Sequence, residues 1–90
     1  MSWSVAFAPS AVRGLERLPP RVATAVIEFV TATLPITPQR MSKELRGEFE
    51  GLRSARRGDY RVLFLLEGST LLVVRAAHRS DAYRLPPPAS

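Results

Sequence analysis

The sequence predicts an α+β fold: a small antiparallel sheet of about four strands in β-α-α-β-β-β order, with an N-terminal helical hairpin packed on one face. Three observations predict it. The N-terminal run alternates with period two. Two apolar stripes at helical spacing follow, divided by Leu18-Pro19-Pro20. Three more alternating runs come last, joined by Gly58-Asp59 and Gly68-Ser69. Period two puts successive side chains on opposite faces of a strand, and period 3.6 puts them on one side of a helix.

Each element follows in turn. Trp3, Val5 and Phe7 share one face of a first strand, which Pro9-Ser10 stops, with Ser10 as a candidate N-cap. Ala11, Leu15 and Leu18 give a short first helix, ended by the two prolines. Pro20 suits the first turn of the main helix, expected over 21–34, whose stripe is Val22, Val26, Phe29 and Val30. Pro35 and Pro38 then open a long polar loop, with room for one helical turn around 42–45. The last three strands are expected at 52–57, 60–66 and 70–76. Glycine-containing pairs between alternating runs are hairpin signals. Pro86-Pro87-Pro88 extends neither helix nor sheet, so the domain is expected over 1–84 and a loose tail over 85–90.

Ninety residues fit one domain with a small core. The 46% hydrophobic and 23% charged shares are those of a globular chain. There is no cysteine, which excludes a disulfide framework, a thiolate metal site and a cysteine nucleophile. No apolar run approaches the ~20 residues of a membrane span, and Met1-Ser2-Trp3-Ser4 lacks a signal-peptide pattern. The expectation is a soluble, cytoplasmic protein without a membrane partner.

The charge is uneven. Of 13 basic residues twelve are arginine and one is Lys43, and the net charge is +5. A GC-rich genome gives the same Arg:Lys ratio, so the ratio alone decides little. Position says more. Residues 53–84 hold seven arginines against Asp59, Glu67 and Asp81, an excess of +4. A cationic half of a small domain suits a polyanion, with a solvated charged face as the competing explanation.

The hairpins give this charge a geometry. Two-residue turns place Arg57 opposite Tyr60, Arg56 opposite Arg61 and Ser54 opposite Leu63. Continued through the second turn, they place Leu63 opposite Val74 and Arg61 opposite Ala76, with His78 in the parity of Ala76. Arg56, Arg61 and His78 then share one face near one end of the sheet. Tyr60, Val62, Phe64, Leu71 and Val73 share the other, beneath the main helix. Opposed arginines repel, and a phosphate between them reverses the sign. Arg75 fits poorly, since it falls on the core face.

The cluster His78-Arg79-Ser80-Asp81-Ala82-Tyr83 joins a group titrating near neutrality, a permanent cation and a phenol. Those groups can move protons around a phosphodiester. An ion pair of Arg79 with Asp81 and a core-capping Tyr83 is the alternative that the residues leave open. The eight acids are dispersed, with no carboxylate–histidine metal spacing and no phosphate-binding glycine loop. No metal or cofactor is expected. A nuclease of this kind would act on RNA, whose own 2′-hydroxyl attacks the adjacent phosphate.

Arg56-Arg57-Gly58-Asp59-Tyr60-Arg61-Val62-Leu63-Phe64 resembles the central hairpin of RelE-type toxins, an R-x-G-D-Y-R run followed by alternating apolar residues. His78-Arg79-Ser80-Asp81-Ala82-Tyr83 resembles their closing H-R-x-x-x-Y signature. The Leu-Pro-Pro hairpin and the Lys43-Glu44-Leu45-Arg46-Gly47 loop match in order. The resemblance spans 2 to about 84 and marks the RelE/ParE superfamily. It implies a small sheet backed by two helices, and a toxin of a type II toxin–antitoxin pair. It also implies metal-independent endoribonuclease activity on mRNA in the ribosomal A site, and a cognate RelB-like antitoxin. By position, Arg61 would hold the scissile phosphate, and Arg79 would do the same or assist the leaving group. Tyr83 would orient or deprotonate the 2′-hydroxyl, with His78 as a second candidate for proton transfer. Arg56 and Lys43 would bind flanking phosphates, with Arg53 and Arg57 as further phosphate-binding candidates. Ribosome-dependent members often carry lysines on the strand before the turn, where this chain has Leu52-Arg53-Ser54-Ala55. Two other functions fit the same fold: a ParE-type gyrase inhibitor without RNA cleavage, and an inactive RNA-binding module.

Overall fold

Alternation, helical stripes and glycine turns resolve into one mixed sheet carrying helices on one face. The computed structural model describes residues 3–84, and the expected tail over 85–90 lies outside the described residues. Strand β1 is Ser4–Phe7, and helices α1 and α2 are Pro9–Glu16 and Pro20–Glu28. Strand β2 is Ser42–Glu44, β3 is Arg53–Arg57, β4 is Tyr60–Glu67 and β5 is Thr70–His78. The sheet order is β1-β5-β4-β3-β2. Strand β1 lies parallel to β5, and the other neighbours are antiparallel.

The α+β class and the helical hairpin are as expected, the sheet gains one strand, and it is mixed rather than antiparallel because β1 runs parallel to β5. The segment expected as a loop with a helical turn at 42–45 contains β2, which pairs Lys43 with Ser54. Its single helical turn comes later, a 3-10 turn at Gly47–Phe49. Arg53 explains why a polar segment lies flat as an edge strand. Its Nε donates to Ser42 Oγ at 2.8 Å, one Nη donates to the Gln39 carbonyl, and the other pairs with Glu44 at 3.3 Å.

Ser10 does not cap α1. Pro9 starts the helix with Ala8 at the N-cap, and the Ser10 hydroxyl donates to the Val74 carbonyl of β5 at 2.6 Å. Helix α1 therefore lies directly on β5. The approach is close at Gly14, where a Cβ would stand 2.7 Å from the Ala76 carbonyl oxygen. Helix α2 continues through a wider turn at Phe29–Thr33 and a 3-10 turn at Leu34–Ile36. Thr31 bonds back to the Ile27 carbonyl, and Pro35 has no N–H for the next rung.

The helix-facing core joins Ala11, Leu15, Val26, Val30 and Leu34 to Ala55, Val62, Phe64, Leu71, Val73 and Ala76. This is the face expected beneath the main helix. A second, smaller core on the opposite face joins Leu63 and Val74 to Ala8, Phe49 and Ala82.

Both hairpins have the expected two-residue turns. Gly58 and Gly68 take φ of 60° and 61°, and no described non-glycine residue has positive φ. A positive φ at the first turn residue alone is the type II′ pattern, whose twist matches that of the strands. The β3–β4 register pairs Arg56 with Arg61 and Ser54 with Leu63, as expected. The β4–β5 register departs from expectation midway. Phe64 pairs with Val73 but Leu63 pairs with Arg75, so Val74 is a bulge residue. One extra residue reverses the parity of all that follows. Arg75 turns to the second core, which removes its misfit. His78 turns the other way, opposite Tyr60, and so does not share a face with Arg61.

Candidate functional site

On the face away from the helices, parity brings Lys43 of β2, Ser54 and Arg56 of β3, and Arg61 of β4 side by side. With Arg40, Met41, Ser42 and Tyr83 they line a cleft of about 500 Å³. Four cations face this cleft and no carboxylate does. Arg56 sits directly across from Arg61, with no ion-pair partner among the described residues. Two fixed cations so placed raise each other's energy until an anion enters.

Arg61 is held by its own turn. Its Nη1 donates to the carbonyls of Gly58 and Tyr60, both at 3.1 Å. A guanidinium has five N–H groups, so the two on Nη1 fix the plane and three are left for a phosphate.

Tyr83 reaches the cleft from the C-terminal turn. The Asp81 and Ala82 amides donate to the His78 carbonyl, which folds 78–82 back against the sheet. Ala82 is buried in the second core, and its carbonyl accepts from Arg75 Nη1 at 2.7 Å. Burial lowers the Arg75 guanidinium from the ordinary arginine value. Arg75 also lies over the Phe49 ring at 5.9 Å. Phe49 in turn meets the Tyr83 ring edge-on at 5.7 Å. The Tyr83 hydroxyl donates to Ser54 Oγ at 2.7 Å.

The other candidates lie elsewhere. The Arg79 amide donates to the Asp59 carbonyl at 2.7 Å, carrying the ladder one residue past β5. Register then puts Arg79 on the Arg61 face at the hairpin end, outside the cleft lining, with its Nε 3.9 Å from Asp59. His78 lies on the helix side, edge-on to Tyr60 at 5.4 Å. Its Nδ1 accepts from the Ser80 amide at 3.1 Å, with Ser80 Oγ 2.9 Å away. The neutral ring therefore carries its proton on Nε2. Arg57 borders a groove beside α2, and Arg53 is engaged in holding β2. Among the described residues no group of three or more His, Asp or Glu could hold a metal ion.

Three contributors escaped sequence reasoning. Ser54 was detectable, since it stands two residues before Arg56 on the same strand face. Arg40 and Phe49 sit in loops with no periodicity, so no local signal marks them.

A mixed sheet with helices on one face and an acid-free cationic cleft on the other is the architecture to set beside known proteins. Residues 5–83 match the family model described as "ParE toxin of type II toxin-antitoxin system, parDE". The chain is 44% identical to Toxin RelG of Mycobacterium tuberculosis, covering 93% of this chain and 99% of that one. It is 42% identical to Toxin RelE of the same organism, covering 94% and 90%. The toxin–antitoxin complex RelBE2 of M. tuberculosis superposes with a TM-score of 0.83 at 41% identity, covering 88% and 100%. A mutant E. coli toxin RelE in the free state shares the fold, with a TM-score of 0.72 at 14% identity, covering 93% and 90%. The chain belongs to the RelE/ParE family, the toxins of type II toxin–antitoxin systems.

Proposed function

We propose that the protein is a RelE-type endoribonuclease, acting without a metal ion on mRNA in the ribosomal A site. One observation carries this reading: Arg56 and Arg61 oppose each other in a cleft of four cations and no carboxylate, with a phenol at its edge. That arrangement favours a phosphodiester over any neutral substrate. In the reaction, the 2′-oxygen attacks the adjacent phosphorus and loses its proton. The bond to the 5′-oxygen breaks, and that oxygen gains a proton. The products are a 2′,3′-cyclic phosphate and a 5′-hydroxyl. Arg61, with its plane fixed by two carbonyls, binds the scissile phosphate and the charge that develops on it. Arg56 and Lys43 hold flanking phosphates. Tyr83 faces the 2′-hydroxyl. Arg79, at the hairpin end of the same face, assists the leaving oxygen in this reading. His78 lies on the helix side of the sheet, so of the two only Tyr83 meets the 2′-hydroxyl in this reading, orienting it for attack while its proton passes to solvent.

A cognate RelB-like antitoxin is the proposed protein partner. RelBE2 of M. tuberculosis and a RelB–RelE assembly of Methanococcus jannaschii are both described as toxin–antitoxin complexes.

Inducible expression in a bacterial host, with primer extension on a reporter mRNA, tests the activity. The expected result is growth arrest with cuts inside translated codons, both abolished by Arg61→Ala. Arrest with intact mRNA would overturn the nuclease reading. It would favour the alternative expected from the sequence, a ParE-type gyrase inhibitor without RNA cleavage.

A further inference from the structure

The Tyr83 hydroxyl stands at the edge of the cleft, hydrogen-bonded at 2.7 Å to Ser54 Oγ, on a serine that is only 6% exposed. A phenol has one donor and two acceptor lone pairs. The bond to Ser54 uses one of these and fixes where the phenol oxygen stands, with the others open to the cleft. The ring cannot easily turn away, because Phe49 meets it edge-on and Arg75 holds the Ala82 carbonyl beside it. Ser54 has its own place fixed by the ladder, between Lys43 on one side and Leu63 on the other.

We infer that Ser54 is a positioning residue that fixes the Tyr83 phenol oxygen where a hydroxyl in the cleft can hydrogen-bond to it. Under the RNA reading above, on which this rests, that hydroxyl is the 2′-hydroxyl. The discrimination of RNA from DNA then resides in the Ser54–Tyr83 couple. Without Ser54 the phenol oxygen loses its anchor, so it meets a 2′-hydroxyl poorly and gains nothing from its absence.

The test separates this couple from cleavage. The probe is a short RNA whose bridging 5′-oxygens are replaced by methylene, so that no leaving group exists, compared with its 2′-deoxy counterpart. The wild-type protein is expected to prefer the 2′-hydroxyl probe by about fivefold, the worth of one ordinary hydrogen bond. Ser54→Ala and Tyr83→Phe each abolish the preference while keeping affinity for the deoxy probe. Ser54→Ala adds no further loss on a Tyr83→Phe background, and Ser54→Thr keeps the preference. Thermal melts of all variants show whether each is folded. A wild-type protein without preference overturns the inference. So does a Ser54→Ala protein that keeps the preference, or one that weakens both probes equally. If wild-type protein prefers the hydroxyl probe yet leaves mRNA on translating ribosomes uncut, the couple stands and the nuclease reading fails.

Discussion

In the proposed reaction Arg61 acts through its setting more than its charge. Twelve arginines share that charge, but Arg61 lies opposite another arginine and has its plane fixed by two turn carbonyls. Removing it relieves a repulsion and leaves the helix-facing core intact. Arg61→Ala is therefore expected to shift folding stability by no more than about 0.5 kcal/mol. Cleavage should fall roughly 10²–10³-fold, the usual cost of losing a donor to transition-state charge. Equilibrium unfolding and single-turnover cleavage check the two numbers on one preparation. This residue was legible in the sequence because a two-residue glycine turn fixes the register on both of its sides. Ser54 was legible by the same parity, but its bond to Tyr83 was not. That bond joins residues 29 apart and depends on how the C-terminal turn folds back.

At the scale of elements, two contacts decide where the site sits. The first is α1 on β5. A methyl at Gly14 would stand 2.7 Å from a main-chain oxygen, and neither backbone can yield cheaply. Gly14→Ala usually favours a helix by about 1 kcal/mol. Here it is expected to destabilise by roughly 1–3 kcal/mol, as overpacking does, and a thermal melt gives the sign. The second is the β5 bulge at Val74, which turns Arg75 beneath the C-terminal turn. Arg75→Met keeps much of the volume but leaves the Ala82 carbonyl without that donor. The expected cost is about 1–3 kcal/mol, with faster amide exchange over 80–84 than in wild type. The bulge also marks where sequence reasoning stopped. Alternation gives no sign of one extra residue in an apolar run such as Leu71-Leu72-Val73-Val74. Parity counted past it put His78 on the wrong face. Strand β2 was hidden for another reason: its three residues are polar, and a single arginine from β3 holds them in place.

Over the whole molecule, the sheet separates two jobs. One face is covered by helices and supplies most of the core. The other concentrates much of the +5 charge around a cleft. The class of fold was readable because alternation, proline breaks and glycine turns agreed along the chain. If Arg40, Lys43, Arg56 and Arg61 each meet a phosphate, binding of single-stranded RNA should weaken steeply with salt. The expected slope of log affinity against log salt is roughly −3, from about −0.7 per contact. Lys43→Ala should reduce that slope by roughly 0.7 and leave the preference for a 2′-hydroxyl untouched. Fluorescence anisotropy across a salt series reads both. The most direct test of the central claim is cleavage of a defined mRNA by purified protein on translating ribosomes, with the ends of the products determined. The expected result is a 2′,3′-cyclic phosphate at the cut, and no cut where that nucleotide is 2′-deoxy or the protein is Arg61→Ala. Cleavage that persists at a 2′-deoxy position, or folded protein that leaves every transcript intact, would contradict it.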